Sequence, residues 1–280
     1  MTQNLAKECY SLNPEDSRIL TNRRIRAELA RVEDFHRVRI LMAAESGSRA
    51  WGFSSPNSDF DVRFLYVRRP EDYLTIWEQR DVIEWEREDS SLDIVGWDVT
   101  KALRLVAVAN NASVCEWLRS PVLYEWRSTF GLEALVSRID PVRYAWHYYG
   151  MAEGNYSKYL QGVEVSHKKY LYVLRPIAAA ELLLGGVTTT AAMYPRLPED
   201  LPGLTEGMES WVRRLLAQKR AGEEIMTGPR DAVMNDYLES RLTSIKERLR
   251  ERVHKEDRNR AEADEVFRGI VAGAWGSSNG

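Results

Sequence analysis

Cysteine is almost absent: Cys9 and Cys115 are the only two in 280 residues, far apart and without CxxC spacing. That excludes a disulfide scaffold and a cysteine-rich zinc site, and makes a reducing, cytoplasmic setting the expectation. Long apolar runs are lacking too, since none approaches the roughly 18 residues that a membrane span requires. The first residues, MTQNLAKECYSLNPEDSR, contain neither a basic stretch nor an apolar one, so no leader and no membrane partner are expected. Charge of one sign is missing as well: 39 basic and 42 acidic side chains leave a net charge of −3. No whole-molecule field draws the chain to nucleic acid or anionic lipid, and any such contact must come from a local patch.

What is present suits a globular chain. A hydrophobic content of 44% over 280 residues can bury a sizeable core, in one large domain or two modest ones. Residues 21–36 place Ile25, Leu29, Val32 and Phe35 at helical spacing. Residues 38–46 (VRILMAAES) form a short apolar run, read as a buried strand, that ends in Ser-Gly-Ser. Loop chemistry follows in SSPNSD, and then DFDVRFLYV over 59–67 alternates polar and apolar residues as a strand does. Residues 81–89 and 91–99 are two further strand candidates, the latter with one central glycine. It runs into a helix, TKALRLVAVANN, capped by Asp98 or Thr100.

Beyond Pro141 the pattern is helical without strand alternation, broken only by the glycine- and proline-rich stretch 185–204. The expectation is an α+β protein: a domain over residues 1–121 with a small mixed sheet and flanking helices, then a mainly helical domain over 122–280.

The chemistry concentrates on strand DFDVR. Period-two alternation puts Asp59, Asp61 and Arg63 on one face. Carboxylates held side by side repel one another unless a cation sits between them, and a hard divalent ion with oxygen ligands answers that need. Asp93, flanked by Leu92 and Ile94, is the best third carboxylate; Asp98 is weaker because a helix start already employs it. Upstream, Glu45-Ser46-Gly47-Ser48-Arg49 joins a strand to a short helix, where backbone N–H groups and a hydroxyl approach phosphate oxygens closely.

The order strand, Gly-Ser, short helix, loop, Asp-x-Asp strand, later strand with a third Asp resembles the DNA polymerase β-like nucleotidyltransferase superfamily. ESGSRAWGFSSPNSDFDVRFLYV carries the likeness. GWDVTKALRL, NNASVCEWLRSPVLY and KKYLYVLRPIAAA are similar to one branch, the predicted nucleotidyltransferases associated with RNA repair. The likeness covers roughly residues 38–185. It implies that Gly47 and Ser48 hold a triphosphate and that Asp59, Asp61 and Asp93 hold metal ions. Two Mg²⁺, or Mn²⁺, about 3.5–4 Å apart would activate an acceptor hydroxyl and neutralise the departing pyrophosphate, with Asp93 also able to take the hydroxyl proton. The implied substrates are an NTP and an acceptor, an RNA 3′ end by family association, with repair-complex proteins as possible partners.

Lys168, Tyr172 and Arg175 follow at helical spacing with Lys169 beside them, a stripe suited to phosphates and a stacked base. Arg49 and Arg63 complete the nucleotide-binding candidates; Arg63 alternatively orients a carboxylate, and Arg49, like Glu45, alternatively lies on the surface or behind the ligand-contacting groups. Blander readings stand beside these: a solvated helix face for the basic stripe, a tight turn for Gly-Ser, ordinary helix positions for His147 and His167, and core packing for Trp51, Trp97 and Trp117. The charged run 246–260 reads first as a solvated helix and second as an RNA contact. Rival functions are the same transfer onto a protein or small-molecule hydroxyl, and a non-catalytic nucleotide- or RNA-binding module.

Overall fold

The computed structural model describes residues 14–85, 91–109, 111–127, 129–187, 189–223, 227–252 and 260–276. In the first half, α1 (Pro14–His36) leads into β1 (Arg39–Glu45), a one-turn α2 (Gly47–Ala50), β2 (Phe60–Val67), α3 (Pro70–Tyr73), β3 (Val82–Trp85), β4 (Leu92–Asp98), α4 (Val99–Ala107), α5 (Ser113–Leu118) and β5 (Leu123–Trp126). The second half holds α6 (Leu132–Ser137), α7 (Pro141–Tyr159), β6 (Glu164–Ser166), α8 (Lys168–Leu184), α9 (Thr189–Met193), α10 (Glu206–Ala221), β7 (Thr227–Pro229), α11 (Ala232–Glu251) and α12 (Arg260–Trp275). This is the α+β fold the patterning predicts, with two additions: β5, a fifth strand of the main sheet just past position 121, and β6 with β7, which pair as a two-stranded ribbon. Three-residue strands are too short to leave an alternation signal. The end of the predicted 81–89 strand and residues 253–259 of the charged run lie outside the described residues.

The main sheet has the order β3-β4-β2-β1-β5. β1 pairs antiparallel with β2 and β5, β3 pairs antiparallel with β4, and β2 and β4 run parallel. Alternation gives the two faces different neighbours. Val62, Phe64 and Tyr66 of β2, with Leu92 and Ile94 of β4, pack against Ile25, Leu29 and Val32 of α1. Phe35, the fourth residue of that helical stripe, is instead 74% exposed, because it stands past the covered face and meets Trp85 edge-on at the rim. The opposite face carries Met42, Ala44, Leu65 and Val67 into a core shared with α4, α5 and the helices of the second half. Residues on both sides of position 121 belong to that core.

Gly96, the central glycine of β4, is required by packing: a Cβ there would stand 2.1 Å from the Phe64 ring. Asp98 caps α4 by accepting from the Thr100 N–H at 2.8 Å, which settles the choice between Asp98 and Thr100. Pro176 lies inside α8 and has no N–H to offer the Tyr172 carbonyl one turn back. Asn155 of α7 supplies the missing donor, its Nδ2 reaching that carbonyl at 3.2 Å, so the proline costs no unpaired acceptor and fastens the two helices. No described helix is long and apolar enough to cross a membrane.

Candidate active site

The site begins where β1 ends. Ser46 donates its N–H to the Asp61 carbonyl at 2.8 Å, and the chain turns at once into α2. Gly47 adopts φ +58°, and a Cβ at this position would stand 1.9 Å from Asp61 Oδ2. Both the left-handed backbone and the contact demand glycine. The turn therefore lies directly against a carboxylate, with the first N–H groups of α2, which have no partner in their own helix, beside it. Ser48 is 9% exposed, and its hydroxyl has no hydrogen-bond partner among the described residues.

Asp61 and Asp93 are opposite one another in the parallel β2–β4 register. Both stand on the face shared with Leu65 and Val67, toward the second half of the molecule. Asp59 lies one residue ahead of β2, so strand alternation does not by itself place it. Arg49 does that work, donating from Nε to the Asp59 carbonyl at 3.1 Å and from Nη2 to the Ser58 carbonyl at 2.6 Å while its guanidinium stacks on Phe60 at 3.8 Å. Glu45, 1% exposed, buttresses the strand from beneath: its carboxylate accepts the Asp61 N–H at 2.8 Å and the Tyr124 hydroxyl. Burial raises the Glu45 pKa, and the two hydrogen bonds only partly offset it.

Arg63 stands among the carboxylates. Its Nη2 is 2.7 Å from Asp93 Oδ2 and 3.3 Å from Asp61 Oδ1, and Nη1 reaches the Asp93 carbonyl at 2.9 Å. Of the two roles open to it, the structure shows the carboxylate one. The Asp61 pKa is nonetheless raised, first by burial; Arg63 pulls it down while Asp93 and Asp59 push it up. Burial thus outweighs the arginine at Asp61. Among the described residues, no group of three or more His, Cys, Asp or Glu side chains is placed to hold a metal ion. The donors are all carboxylate oxygens, a set that fits a hard divalent cation, and in this arrangement Arg63 fills the corresponding place.

The second half supplies the facing wall. Tyr172 meets Trp51 edge-on at 6.4 Å, and its pKa is raised by burial and by the Asp61 charge. Lys169 lies over the Tyr172 ring at 5.1 Å. Lys219 of α10, which the helical stripe did not point to, reaches Ser58 Oγ at 3.4 Å. Its pKa is lowered by burial and by neighbouring Lys168, against the pull of Asp59. Next to it, Arg220 holds the Gly52 carbonyl at 3.1 Å, so the end of α10 pins the 52–59 loop. No spacing motif marks Lys219; only the docking of α10 brings it to the site.

Arg175 parts from the stripe. It is 2% exposed, paired with Glu116 Oε1 at 2.5 Å and Met193 carbonyl at 2.8 Å, and stacked on Trp51 at 4.1 Å. At i+7 it keeps to the same side of α8 but stands two turns further along, where that side packs on Glu116, Met193 and Trp51, so it reaches no open surface. It supports the site through Trp51, whose predicted core role holds, as do those of Trp97 and Trp117. His147 lies within α7, its pKa lowered by burial. Cys115 is buried with its thiol pushed up to about 12, inert as a nucleophile. Two cavities flank the site, about 940 Å³ behind α2 beside Glu45, Phe60 and Tyr124, and about 530 Å³ beside Trp51, Arg196 and Arg220. Asp59, Asp61 and Asp93 line neither; they stand at the open end of the sheet.

The family model described as RlaP, RNA repair pathway DNA polymerase beta family, matches residues 21–269. The chain is also 38% identical over 256 residues to an uncharacterized protein YcgL of Bacillus subtilis (strain 168), covering 90% of this chain and 97% of the relative.

Proposed function

This chain belongs to the RNA repair pathway DNA polymerase beta family, and from that premise we propose that it transfers a nucleoside monophosphate from an NTP to the 3′ hydroxyl of an RNA, releasing pyrophosphate. The observation that carries the reading is the meeting of Gly47 with the Asp61 carboxylate, beside in-register Asp93 and opposite Lys168, Lys219 and Tyr172. A phosphate-binding turn a few ångströms from a carboxylate set is suited to a polyphosphate and a cation that meet between them.

In this reading Gly47 and Ser48 receive the triphosphate at the start of α2, and Asp59, Asp61 and Asp93 hold divalent metal, Mg²⁺ or Mn²⁺. Bound there, such ions lower the pKa of an attacking hydroxyl and neutralise charge on the leaving group. Arg63 keeps the Asp61–Asp93 pair folded before loading and yields its place on loading. Arg49 and Glu45 hold Asp59 and the Asp61 backbone in position. Lys168 and Lys219 take the phosphate charge that leaves, Lys169 adds to the positive field, and Tyr172 offers a ring for a base. Asp93, the most exposed of the paired carboxylates, is placed to accept the hydroxyl proton. A reducing cytoplasm and assembly with other repair proteins belong to the same reading.

The test is incubation with Mg²⁺, each α-³²P NTP in turn, and a mixed RNA pool, beside an Asp59→Ala/Asp61→Ala variant. Acid-stable label on RNA in the parent alone is the expected result. Label on protein or on a small hydroxyl compound would move the acceptor. No label from any nucleotide, with NTP binding untouched by the double substitution, would leave a binding module.

A further inference from the structure

Lysines are spread unevenly. Of the eight in the chain, six have described side chains. Lys101 and Lys246 are ion-paired, with Asp81 at 3.0 Å and Glu153 at 3.6 Å. Lys158, Lys168, Lys169 and Lys219 have no carboxylate within ion-pair distance among the described residues, and all four belong to one neighbourhood. Clustered ammonium groups without counter-charge repel one another. The Lys219 pKa is lowered first by burial and then by the charge of Lys168, and on the other flank the Tyr159 phenol is pulled down by a hydrogen bond from Lys158 and by the charges of Lys158 and Lys169.

The cluster has two arms. One, Lys168 with Lys219, sits by Asp59 and serves the nucleotide phosphates in the function proposed above. The other leads outward from Tyr172, which feels the Asp61 charge, to Lys169, whose ammonium is 5.1 Å from the Tyr172 ring and 4.3 Å from the Tyr159 ring. Lys158 follows, 5.0 Å from Tyr159. Ring, cation, ring, cation is the sequence of contacts an unpaired polynucleotide can use, with bases on aromatic faces and phosphates beside ammonium groups. A duplex keeps its bases stacked inside and presents only phosphates.

We propose that Tyr172, Lys169, Tyr159 and Lys158 form a track for the single-stranded end of the acceptor RNA, leading it to the carboxylates. This rests on the nucleotidyl-transfer reading for its destination but not for its binding. The full chain is titrated against a fluorescein-labelled single-stranded RNA of about 12 nucleotides and a duplex of equal length, over a range of salt. Single-strand binding is expected to exceed duplex binding and to persist in Asp59→Asn/Asp61→Asn. Tyr159→Ala weakens it about tenfold while Tyr159→Phe retains it, since the face and not the hydroxyl is used. Lys158→Gln lowers the slope of log affinity against log salt by about 0.7.

Parental affinity in both Tyr159→Ala and Lys158→Gln, equal binding of the duplex, or equal displacement by a polyglutamate peptide would each overturn the track. Transfer onto RNA that ignores both substitutions would overturn it alone. Strand binding with these sensitivities but no transfer in the parent would keep the track and remove the reaction.

Discussion

Two arginine–carboxylate groups bear on the site, one stacked on Trp51 and one at the sheet end, and they are built differently. Arg175 and Glu116 are buried, ringed by Tyr148 and Tyr194, whose hydroxyls donate to the Glu116 carboxylate and carbonyl. Arg63 with Asp61 and Asp93 stands at the open end of the sheet, and the Asp93 side chain is 51% exposed. Water cannot replace a partner in the first group, whereas in the second a solvated ion can. The first joins α5 to α8 and holds the architecture; the second keeps repelling carboxylates together in a form that a ligand can exchange.

Four substitutions break or sharpen that contrast. Asp61→Asn should lower nucleotidyl transfer on the order of 10³-fold, the scale of losing a principal electrostatic group. The same variant should melt higher than the parent at pH 7. Burial raises the Asp61 pKa above its usual 3.8, so above that value the folded state carries the cost of the ionised form, which asparagine removes. The advantage should shrink as pH falls and Asp61 protonates in the parent; a constant or absent advantage would contradict this.

Arg175→Met leaves Glu116 charged and buried, and should cost about 3–5 kcal/mol in urea unfolding, with much of it recovered in Arg175→Met/Glu116→Gln. Arg63→Gln, at the solvated pair, should cost no more than about 1 kcal/mol. If the two costs were equal, the distinction would fail. Arg63→Gln has a further effect, since its charge is what pulls the Asp61 pKa down. The Asp61 pKa should rise in that variant, seen as protonation at higher pH in a carboxylate NMR titration of the metal-free protein; an unchanged titration would contradict this. Smallest is Lys219→Gln, which should weaken NTP binding about fivefold by calorimetry and NMP binding less, because only the former carries the outer phosphates.

Much of the site was legible because it depends on local geometry. Period-two alternation in β2 put Asp61 and Arg63 on one face, and Gly47 announced a turn that no side chain could enter. Asp93 was legible as a polar residue in an apolar strand, and its place opposite Asp61 follows from the parallel pairing. What escaped depends on tertiary choice. Nothing at Lys219 marks that its helix would dock on the 52–59 loop. Nothing at Arg175 marks that its turn of α8 would face Glu116 and not the cleft. Helical spacing says which residues share a side, while packing decides what that side meets.

The parallel register of β2 and β4 has a consequence for the order in which the protein comes into being. Strands paired in parallel cannot join through a tight hairpin, so the Asp61–Asp93 pair forms only after the intervening chain has folded back. During synthesis, which delivers the N-terminal part first, the nascent chain acquires its turn and its first two aspartates well before it has the third. Until β4 takes its place, Arg63 lacks its closest partner, so a translation product interrupted before β4 is released without the Asp61–Asp93 pair.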